Sequence, residues 1–294
     1  MNLDLALATA VAGVVSGAYY ALLGLAIALI YRTTAVANFA QGELGTLGTF
    51  VLVLYVTRLP LGPVWQLVLS VLISAGISAI AYLILLRAQR GADALNLTVR
   101  TLGLYTLVHA VTLYFWGANE PYTAQGLFPS GSFNVAGFRL AYDQLGTLAI
   151  AAVLGLALFA LFRFTPVGLA MRSVAMNAEV ASLLGIDVNR IALVVWLIAG
   201  AIGALVAMLI APVSFLGTGL MQPYILKAFT AAVLGGLSSF PGVVLGGLLL
   251  GVIESFGSTW VSIHLREPFT FAILLLVLLF KPAGLFGRQH LGRV

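Results

Sequence analysis

Long apolar runs, separated by short polar connections, fill almost all of this 294-residue chain. A helix needs about 20 apolar residues to cross the hydrocarbon core of a bilayer. Seven runs, counted with a few flanking residues, suit such helices: Ala6–Tyr31, Val64–Leu86, Thr101–Trp116, Leu145–Phe162, Ile191–Ala211, Gly242–Ile263 and Phe269–Phe280. Only 8% of the residues are charged, against about 25% in soluble domains. The pattern therefore excludes a soluble globular protein and predicts a membrane protein.

Two further apolar stretches, Ala35–Val56 and Phe215–Leu237, are interrupted by glycine and, in the second, by proline. Backbone groups freed by such breaks are tolerated at membrane depth only where protein or a watery cavity satisfies them. We therefore predict two broken helices beside a transport path. The expected fold is all-α, a polytopic helical bundle of about nine membrane segments in which residues 1–294 form a single transmembrane domain.

The basic residues indicate how this bundle is oriented, because cytoplasmic connections carry an excess of Lys and Arg. With nine crossings and the N-terminus outside, 10 of the 14 basic residues fall on the inner side. These are Arg32, Arg87, Arg90, Arg100, Arg163, Arg172, Arg190, Lys281, Arg288 and Arg293. Eight crossings would spoil this bias. We therefore predict a multi-pass protein of the inner (cytoplasmic) membrane with a cytoplasmic C-terminus.

Two polar connections are long enough to hold structure of their own. The outer one, Gly117–Gln144, contains turn-forming residues and short apolar alternations that are typical of a small β-hairpin, with a plain solvated loop as the alternative. The inner one, Arg163–Arg190, has a helix-start signal at Asn177 and a stop signal at Gly185. It predicts a short helix over Ala178–Leu184 on the cytoplasmic face.

Sequence signatures of catalysis, metal binding and ATP binding are missing. The chain has no cysteine and three histidines that lie far apart in sequence. Neither of its lysines, Lys227 and Lys281, follows the glycine-rich pattern of a P-loop. The basic residues are scattered, whereas a nucleic-acid-binding surface needs them clustered. We therefore expect no enzymatic activity, metal, cofactor or nucleic acid.

Four ionisable residues lie inside apolar stretches: Glu43, His109, Lys227 and Glu254. Each costs on the order of a few kcal/mol in hydrocarbon unless it faces a cavity or a partner. For His109 and Glu254 an ordinary interhelical hydrogen bond is the favoured interpretation. Glu43 and Lys227 lie in the broken stretches, so a role in transport is equally compatible with their positions.

Small residues recur four positions apart in two of the long runs. Gly13 and Gly17 share the first run, and Gly247 and Gly251 share a later one. Such spacing lets helix backbones approach closely in lipid. It predicts tight helix packing, either within the chain or across a dimer.

Three stretches carry a resemblance to a known family. They are Ala37–Glu43 (ANFAQGE), Ala181–Ile186 (ASLLGI) and Lys227–Gly236 (KAFTAAVLGG). The chain resembles the membrane permeases of branched-chain amino acid ABC importers, in particular the shorter of their two paired subtypes. The inner loop is also similar to the ABC-permease coupling motif at Glu179, Ala181 and Gly185. Gln41 departs from the commonest family pattern, which has His there, and this weighs against a proton-linked role.

The resemblance implies an importer subunit that forms the path for branched-chain or other hydrophobic amino acids. Such a permease has no ATPase site, so two ATP-binding subunits would dock at the inner loop. A substrate-binding protein would deliver cargo to the outer face, and a second permease subunit or a second copy would complete the assembly. Two alternatives stay open: an ion-coupled secondary transporter, and a passive channel for a small neutral solute such as urea.

The candidate functional residues form two groups. Those expected along the translocation path lie in the broken stretches: Asn38, Gln41, Gly42, Glu43, Lys227, Thr230, Gly235 and Gly236. Those expected to couple the chain to its ATPases lie in the inner loop: Asn177, Ala178, Glu179, Ala181, Leu184 and Gly185.

The first three apolar elements recur, in the same order, as the elements from Ile191 to Ile263, and the predicted topology makes each pair cross in opposite senses. Equivalent broken segments of such an inverted repeat point to a transport path. An offset of about 184 residues brings Glu43 opposite Lys227. We therefore predict that these two charges approach each other as a gate, or as receptors for the charged ends of a zwitterionic substrate. The alternative is that each caps a half-helix independently.

Overall fold

The computed structural model describes residues 3–85, 94–117, 121–135, 138–281 and 283–287. Helices account for most of them, with one small β-hairpin. The helices are α1 Leu3–Thr34, α2 Gln41–Leu54, α3 Pro63–Leu85, α4 Ala94–Trp116, α5 Tyr142–Phe164, α6 Pro166–Met176, α7 Ala178–Leu183, α8 Val188–Ser214, α9 Gln222–Gly235, α10 Phe240–Trp260 and α11 Arg266–Phe280. Short 3-10 helices lie at Val56–Arg58 and Ile263–Leu265.

Five of these helices, α1, α3, α5, α8 and α10, are long and apolar enough to cross a membrane. A shorter apolar helix covers Glu267–Phe280. The predicted all-helical, multi-pass membrane fold is confirmed. One predicted segment differs at its start, because α4 begins at Ala94 rather than at Thr101. Leu86, the predicted end of the second run, lies outside the described residues.

Both predicted helix breaks are present. Helices α2 and α9 have 14 residues each, which gives about 21 Å at a rise of 1.5 Å per residue, against about 30 Å of hydrocarbon. The preceding long helices end beside Ala35 and Phe215, whose φ angles of 54° and 58° are left-handed. Left-handed backbone is unfavourable for residues other than glycine. Both breaks therefore begin at a backbone conformation that stops a helix.

The chain divides into two compact units. The first unit comprises Met1–Ala28, Phe128–Leu156 and Leu226–Val294, and the second comprises Leu29–Leu127 and Ala157–Ile225.

In the second unit, α8 packs against α2 and α3 through small residues. A Cβ atom added to Gly45 of α2 would lie 2.6 Å from the carbonyl oxygen of Gly203 in α8, closer than a side chain tolerates. The Ser78 hydroxyl of α3 donates to the Trp196 carbonyl oxygen of α8 at 2.8 Å. Hydrophobic contacts among Leu52, Val56, Ala204 and Met208 continue this core. The three helices therefore depend on backbone-level contact.

In the first unit, α1 packs against α9 and α10 in the same way. A Cβ on Gly17 would lie 2.8 Å from the Gly247 carbonyl oxygen, and one on Gly13 would lie 2.7 Å from the Cα of Val252. The predicted small-residue packing is therefore confirmed, and it acts within the chain. The segment after α11 returns to α9, where the Leu285 amide donates to the Leu234 carbonyl oxygen at 2.8 Å.

The two units share one internal plan. Elements α1, α2 and α3, with 32, 14 and 23 residues, recur in order as α8, α9 and α10, with 27, 14 and 21. Within each unit, the long helix of one set packs against the half-helix and third helix of the other set. This plan supports the predicted repeat, while its inverted sense stays a prediction.

The outer connection contains the predicted β-hairpin. Strands β1, Ser132–Val135, and β2, Phe138–Ala141, pair antiparallel, with Ser132 opposite Ala141. The Tyr142 amide donates to the Gly131 carbonyl oxygen at 3.1 Å and closes the base of the hairpin. The ring of Phe133 packs edge-on against that of Tyr142, with centroids 4.9 Å apart.

Candidate functional site

Gln41 fastens the start of α2 to α8, and Asn38 holds the Gln41 side chain. The Gln41 amide nitrogen donates to the Ala199 carbonyl oxygen of α8 at 2.6 Å, and the Asn38 amide nitrogen donates to Gln41 Oε1 at 3.3 Å. Thr101 of α4 donates to the Ala37 carbonyl oxygen at 3.0 Å. Both predicted path residues are buried, so their polar atoms brace the break.

Glu43 lies in the first turn of α2 and is 1% exposed. Its Oε2 lies 3.4 Å from Nδ1 of His109 in α4, and the side chain of Gln222, the first residue of α9, lies nearby. The Gln222 amide nitrogen donates to the Tyr105 hydroxyl at 3.0 Å. The Tyr105 and His109 rings stack, with centroids 6.0 Å apart and planes 5° apart. We refer to Glu43, Tyr105, His109 and Gln222 as the Glu43 cluster.

Gly42 lies beside Glu43 and lets α2 approach the start of α9. A Cβ on Gly42 would lie 3.2 Å from the Cβ of Met221 and 3.4 Å from that of Ile225. The first distance is tighter than most side-chain contacts, and the second is an ordinary van der Waals contact. Gly42 therefore serves the packing that brings Gln222 within reach of Glu43.

Lys227 lies in α9 of the first unit and has a carboxylate partner that the sequence did not indicate. Its Nζ donates to Oε1 of Glu254 in α10 at 2.5 Å, and the Tyr20 hydroxyl of α1 donates to Oε2 of Glu254 at 2.8 Å. Side-chain exposure is 9% for Lys227 and 2% for Glu254. Lys227 Nζ also lies 5.8 Å from the centroid of the Tyr20 ring. We refer to these three residues as the Lys227 lock.

The predicted pairing of Glu43 with Lys227 is therefore wrong. The Glu43 carboxylate lies 3.4 Å from His109, whereas Lys227 is bonded to Glu254. The partner of Glu43 comes from α4, and the partners of Lys227 and Glu254 come from α1 and α10. The offset that aligned the two charges measured their equivalent positions in the repeat, and equivalence of position does not require contact.

The remaining predicted path residues lie in or directly after α9, where they contribute to its hydrogen bonding, its packing and its C-terminal end. Thr230 is buried and donates to the Leu226 carbonyl oxygen, one turn earlier, at 3.0 Å. Gly235 lies against Gly242 at the start of α10. Gly236 follows with a φ of 95°, a conformation that favours glycine and ends a helix. Their role along a path stays a prediction.

The inner loop contains the predicted short helix, which is one residue shorter than expected. Helix α7 ends at Leu183, with Leu184 as its C-cap. Asn177 Oδ1 accepts from the amides of Glu179 and Val180, each at 3.0 Å, as the predicted N-cap. The sequence reasoning missed Asp187, which accepts from the amides of Asn189 and Arg190 and caps α8. An Asp just before an apolar run was the available signal.

Gly185 forms the stop after α7. Its φ is 86°, the Ile186 amide donates to the Ala181 carbonyl oxygen at 3.0 Å, and the Gly185 amide donates to that of Ser182 at 3.1 Å. This pair of bonds is the Schellman motif, in which a left-handed glycine ends a helix.

Several large apolar side chains are exposed on α7 and its caps, beside the polar Glu179 and Ser182. Leu183 is 81% exposed and Leu184 is 76% exposed, with Met176 and Val180 also exposed, while Ala181 faces the unit and is buried. Exposed apolar groups that cluster on a surface mark an interaction site. Among the described residues, no three or more His, Asp or Glu side chains come together in a way that could hold a metal ion.

Comparison with known proteins gives matches along nearly the whole chain. The family described as "Branched-chain amino acid transport system / permease component" matches residues 9–279. The high-affinity branched-chain amino acid transport system permease protein LivH of Salmonella typhimurium is 30% identical, over 96% of both chains. BraD of Pseudomonas aeruginosa, which has the same description, is 29% identical over 96% of both. The probable LivH of Methanocaldococcus jannaschii is 26% identical, over 90% of this chain and 88% of that one.

Proposed function

Since the chain belongs to the family of permease components of branched-chain amino acid transport systems, we propose that it forms the path for branched-chain or other hydrophobic amino acids in an ATP-driven importer. The observation that carries this proposal is the family match, which spans the membrane helices from α1 to α11. The family consists of transport permeases and not of enzymes. ATP hydrolysis then takes place in partner subunits.

The ATP-binding partners dock on α7. This helix has six residues, so it is marginal by itself and is held by the Asn177 cap and the Gly185 stop. Its buried side is anchored by Ala181, while Leu183 and Leu184 project from the surface. A short, capped segment that exposes two neighbouring leucines fits a groove on a partner. Residues 163–190 are thus the cytoplasmic coupling loop, with Glu179 and Ala178 in the first turn of α7.

The outer connection, residues 117–144, receives the substrate-binding protein. Its hairpin is closed at the base by the Tyr142–Gly131 bond, so it presents a small ordered surface. This assignment requires the N-terminus outside and the C-terminus in the cytoplasm, as the distribution of basic residues supports. The second permease subunit is the longer paired subtype, or a second copy of this chain.

The ordered α7 helix also bears on the alternatives. A passive channel needs no capped, apolar docking helix on one face. An ion-coupled transporter concentrates ionisable groups for coupling, whereas Lys227 is neutralised by Glu254 within the Lys227 lock. The importer assignment therefore has the better support.

Labelling of single cysteines tests both docking surfaces, since the natural chain has no cysteine. Leu183→Cys and Ser130→Cys place thiols at exposed positions in the inner and outer connections. A membrane-impermeant maleimide will label Ser130→Cys in intact cells and Leu183→Cys only in inside-out vesicles. Bound ATP-binding subunits will protect Leu183→Cys alone, and the loaded binding protein will protect Ser130→Cys alone. If both cysteines were labelled equally from one side of the membrane, the proposed orientation would be contradicted. If the ATP-binding subunits did not change the labelling of Leu183→Cys, docking on α7 would be contradicted.

A further inference from the structure

The two half-helices each carry a buried ionisable residue near their start, yet the surroundings of the two residues differ. Lys227 belongs to a closed set of partners in the first unit, whereas Glu43 belongs to a partly exposed cluster in the second unit. The difference decides which of them is able to meet a ligand.

The Lys227 lock is complete. Lys227 occupies one carboxylate oxygen of Glu254, at 2.5 Å, and Tyr20 occupies the other, at 2.8 Å. Both contacts are charge-assisted hydrogen bonds, which are roughly twice as strong as neutral ones. A substrate carboxylate would have to displace Glu254 from Lys227 and leave that acid buried without its counter-charge, which is strongly unfavourable. The lock is therefore structural.

The Glu43 cluster is held more loosely. Glu43 and His109 are 3.4 Å apart, whereas a charge-assisted N–H to O bond has a length of about 2.7–2.9 Å. The carboxylate is buried, but His109 is 29% exposed, and the Tyr105 and Gln222 side chains are also partly exposed. A buried acid thus lies behind polar and aromatic groups that reach the surface of the second unit.

We propose that the Glu43 cluster receives the primary ammonium group of the transported amino acid, an inference that rests on the proposed function. The ammonium group supplies the positive charge that a buried carboxylate requires and takes the place of His109 beside Glu43. The Tyr105 ring face attracts a cation, and the Tyr105 hydroxyl oxygen has a second lone pair for an ammonium N–H. Gln222, at the first position of α9, links the bound group to the second half-helix.

This site selects for a positively charged ammonium group, and it does not require the ligand to carry a carboxylate. A branched-chain amino acid and the matching amine, 3-methylbutylamine, both offer an ammonium group. The deaminated acid, 4-methylpentanoate, has a similar apolar body but offers only a negative charge, which Glu43 repels. The ligand class is therefore primary ammonium compounds with an apolar side chain, and neutral solutes such as urea are disfavoured.

The test is equilibrium binding of labelled leucine to the assembled, purified transporter without its binding protein. For the wild type, 3-methylbutylamine is expected to compete with leucine and 4-methylpentanoate to compete at least about tenfold less well, as a charge-assisted bond implies. Glu43→Gln should weaken leucine binding by about tenfold or more and remove the preference for the amine. Thr112→Val is the matched control, since Thr112 is buried in α4 one turn from His109 and its hydroxyl group donates to the Val108 carbonyl oxygen of its own helix.

A purely structural cluster would give a different result. Loss of a brace between α2 and α4 could lower the amount of folded protein, but it would leave the preference for amine over acid unchanged. Tyr105→Phe gives a second reading, because it removes only the hydroxyl group and is expected to weaken leucine and amine binding together. If the Glu43→Gln variant still preferred the amine to the acid, the inference would be overturned, while the importer function would stay intact. A wild-type transporter that neither binds nor transports leucine would overturn the proposed function as well.

Discussion

Substitution of Gly185 by valine is expected to lower ATP-driven uptake by at least about tenfold without affecting membrane insertion. Gly185 has a φ of 86°, and a left-handed conformation costs about 1–2 kcal/mol for ordinary residues and is least tolerated by β-branched ones. A Cβ there meets no atom within 4 Å, so the effect is on the backbone. The strain falls on a six-residue helix that has little stability of its own. Uptake into proteoliposomes with co-reconstituted ATP-binding subunits measures the loss.

Asparagine at the same position is the control. It tolerates left-handed backbone far better than valine and adds a side chain of comparable size. Gly185→Asn should therefore keep most of the uptake and of the α7-dependent protection by the ATP-binding subunits. Equal uptake by the valine and asparagine variants would show that the left-handed stop after α7 is not required for coupling.

Substitution of Lys227 by methionine is expected to destabilise the protein by roughly 3–5 kcal/mol. Methionine fills a similar volume but removes the ammonium group that balances the charge of the buried Glu254 carboxylate. An uncompensated charge at membrane depth is costly. The amount of monodisperse protein after a heating series, followed by fluorescence-detected gel filtration, measures the loss of stability.

The double variant Lys227→Met with Glu254→Met separates the charge from the packing. With both charges removed, most of the lost stability should return, since replacement of a buried ion pair by apolar residues is often close to neutral. A single Lys227→Met variant as stable as the wild type would show that the pair has no structural role. Exchange of Glu43 with Lys227 should give no rescue, because their partners lie elsewhere.

The positions of the helices could be predicted because a helix that crosses a membrane must be apolar over a fixed length. Apolar runs of membrane length predicted α1, α3, α5, α8 and α10 to within a few residues. The interrupted stretches do contain the breaks before α2 and α9, but Gly42, Gly45 and Gly48 lie inside α2 and not at its break. Asn177 with Gly185 placed α7. In each case the signal is local in sequence, so it can be recognised without knowledge of the tertiary structure.

The side-chain partners could not be predicted in this way. The sequence favours an ordinary interhelical hydrogen bond for Glu254, yet Glu254 is the counter-ion of Lys227, because α9 and α10 pack against each other. His109 likewise lies 66 positions from Glu43 in sequence, and no pattern along the chain links the two. The Ala199 carbonyl oxygen accepts from Gln41 because small residues bring α2 close to α8. These contacts depend on which helices pack together. The offset between the two repeats identifies equivalent positions, but it does not identify the helices that are in contact.

ATP-dependent uptake of leucine by the reconstituted transporter tests the central claim most directly. The chain is placed in proteoliposomes with a second permease subunit, two ATP-binding subunits and a loaded binding protein. We expect leucine to accumulate only when ATP is present on the side of α7 and when the ATP-binding subunits are able to hydrolyse it. Accumulation driven by a proton or sodium gradient without ATP, or simple equilibration of leucine or urea across the membrane, would contradict the account.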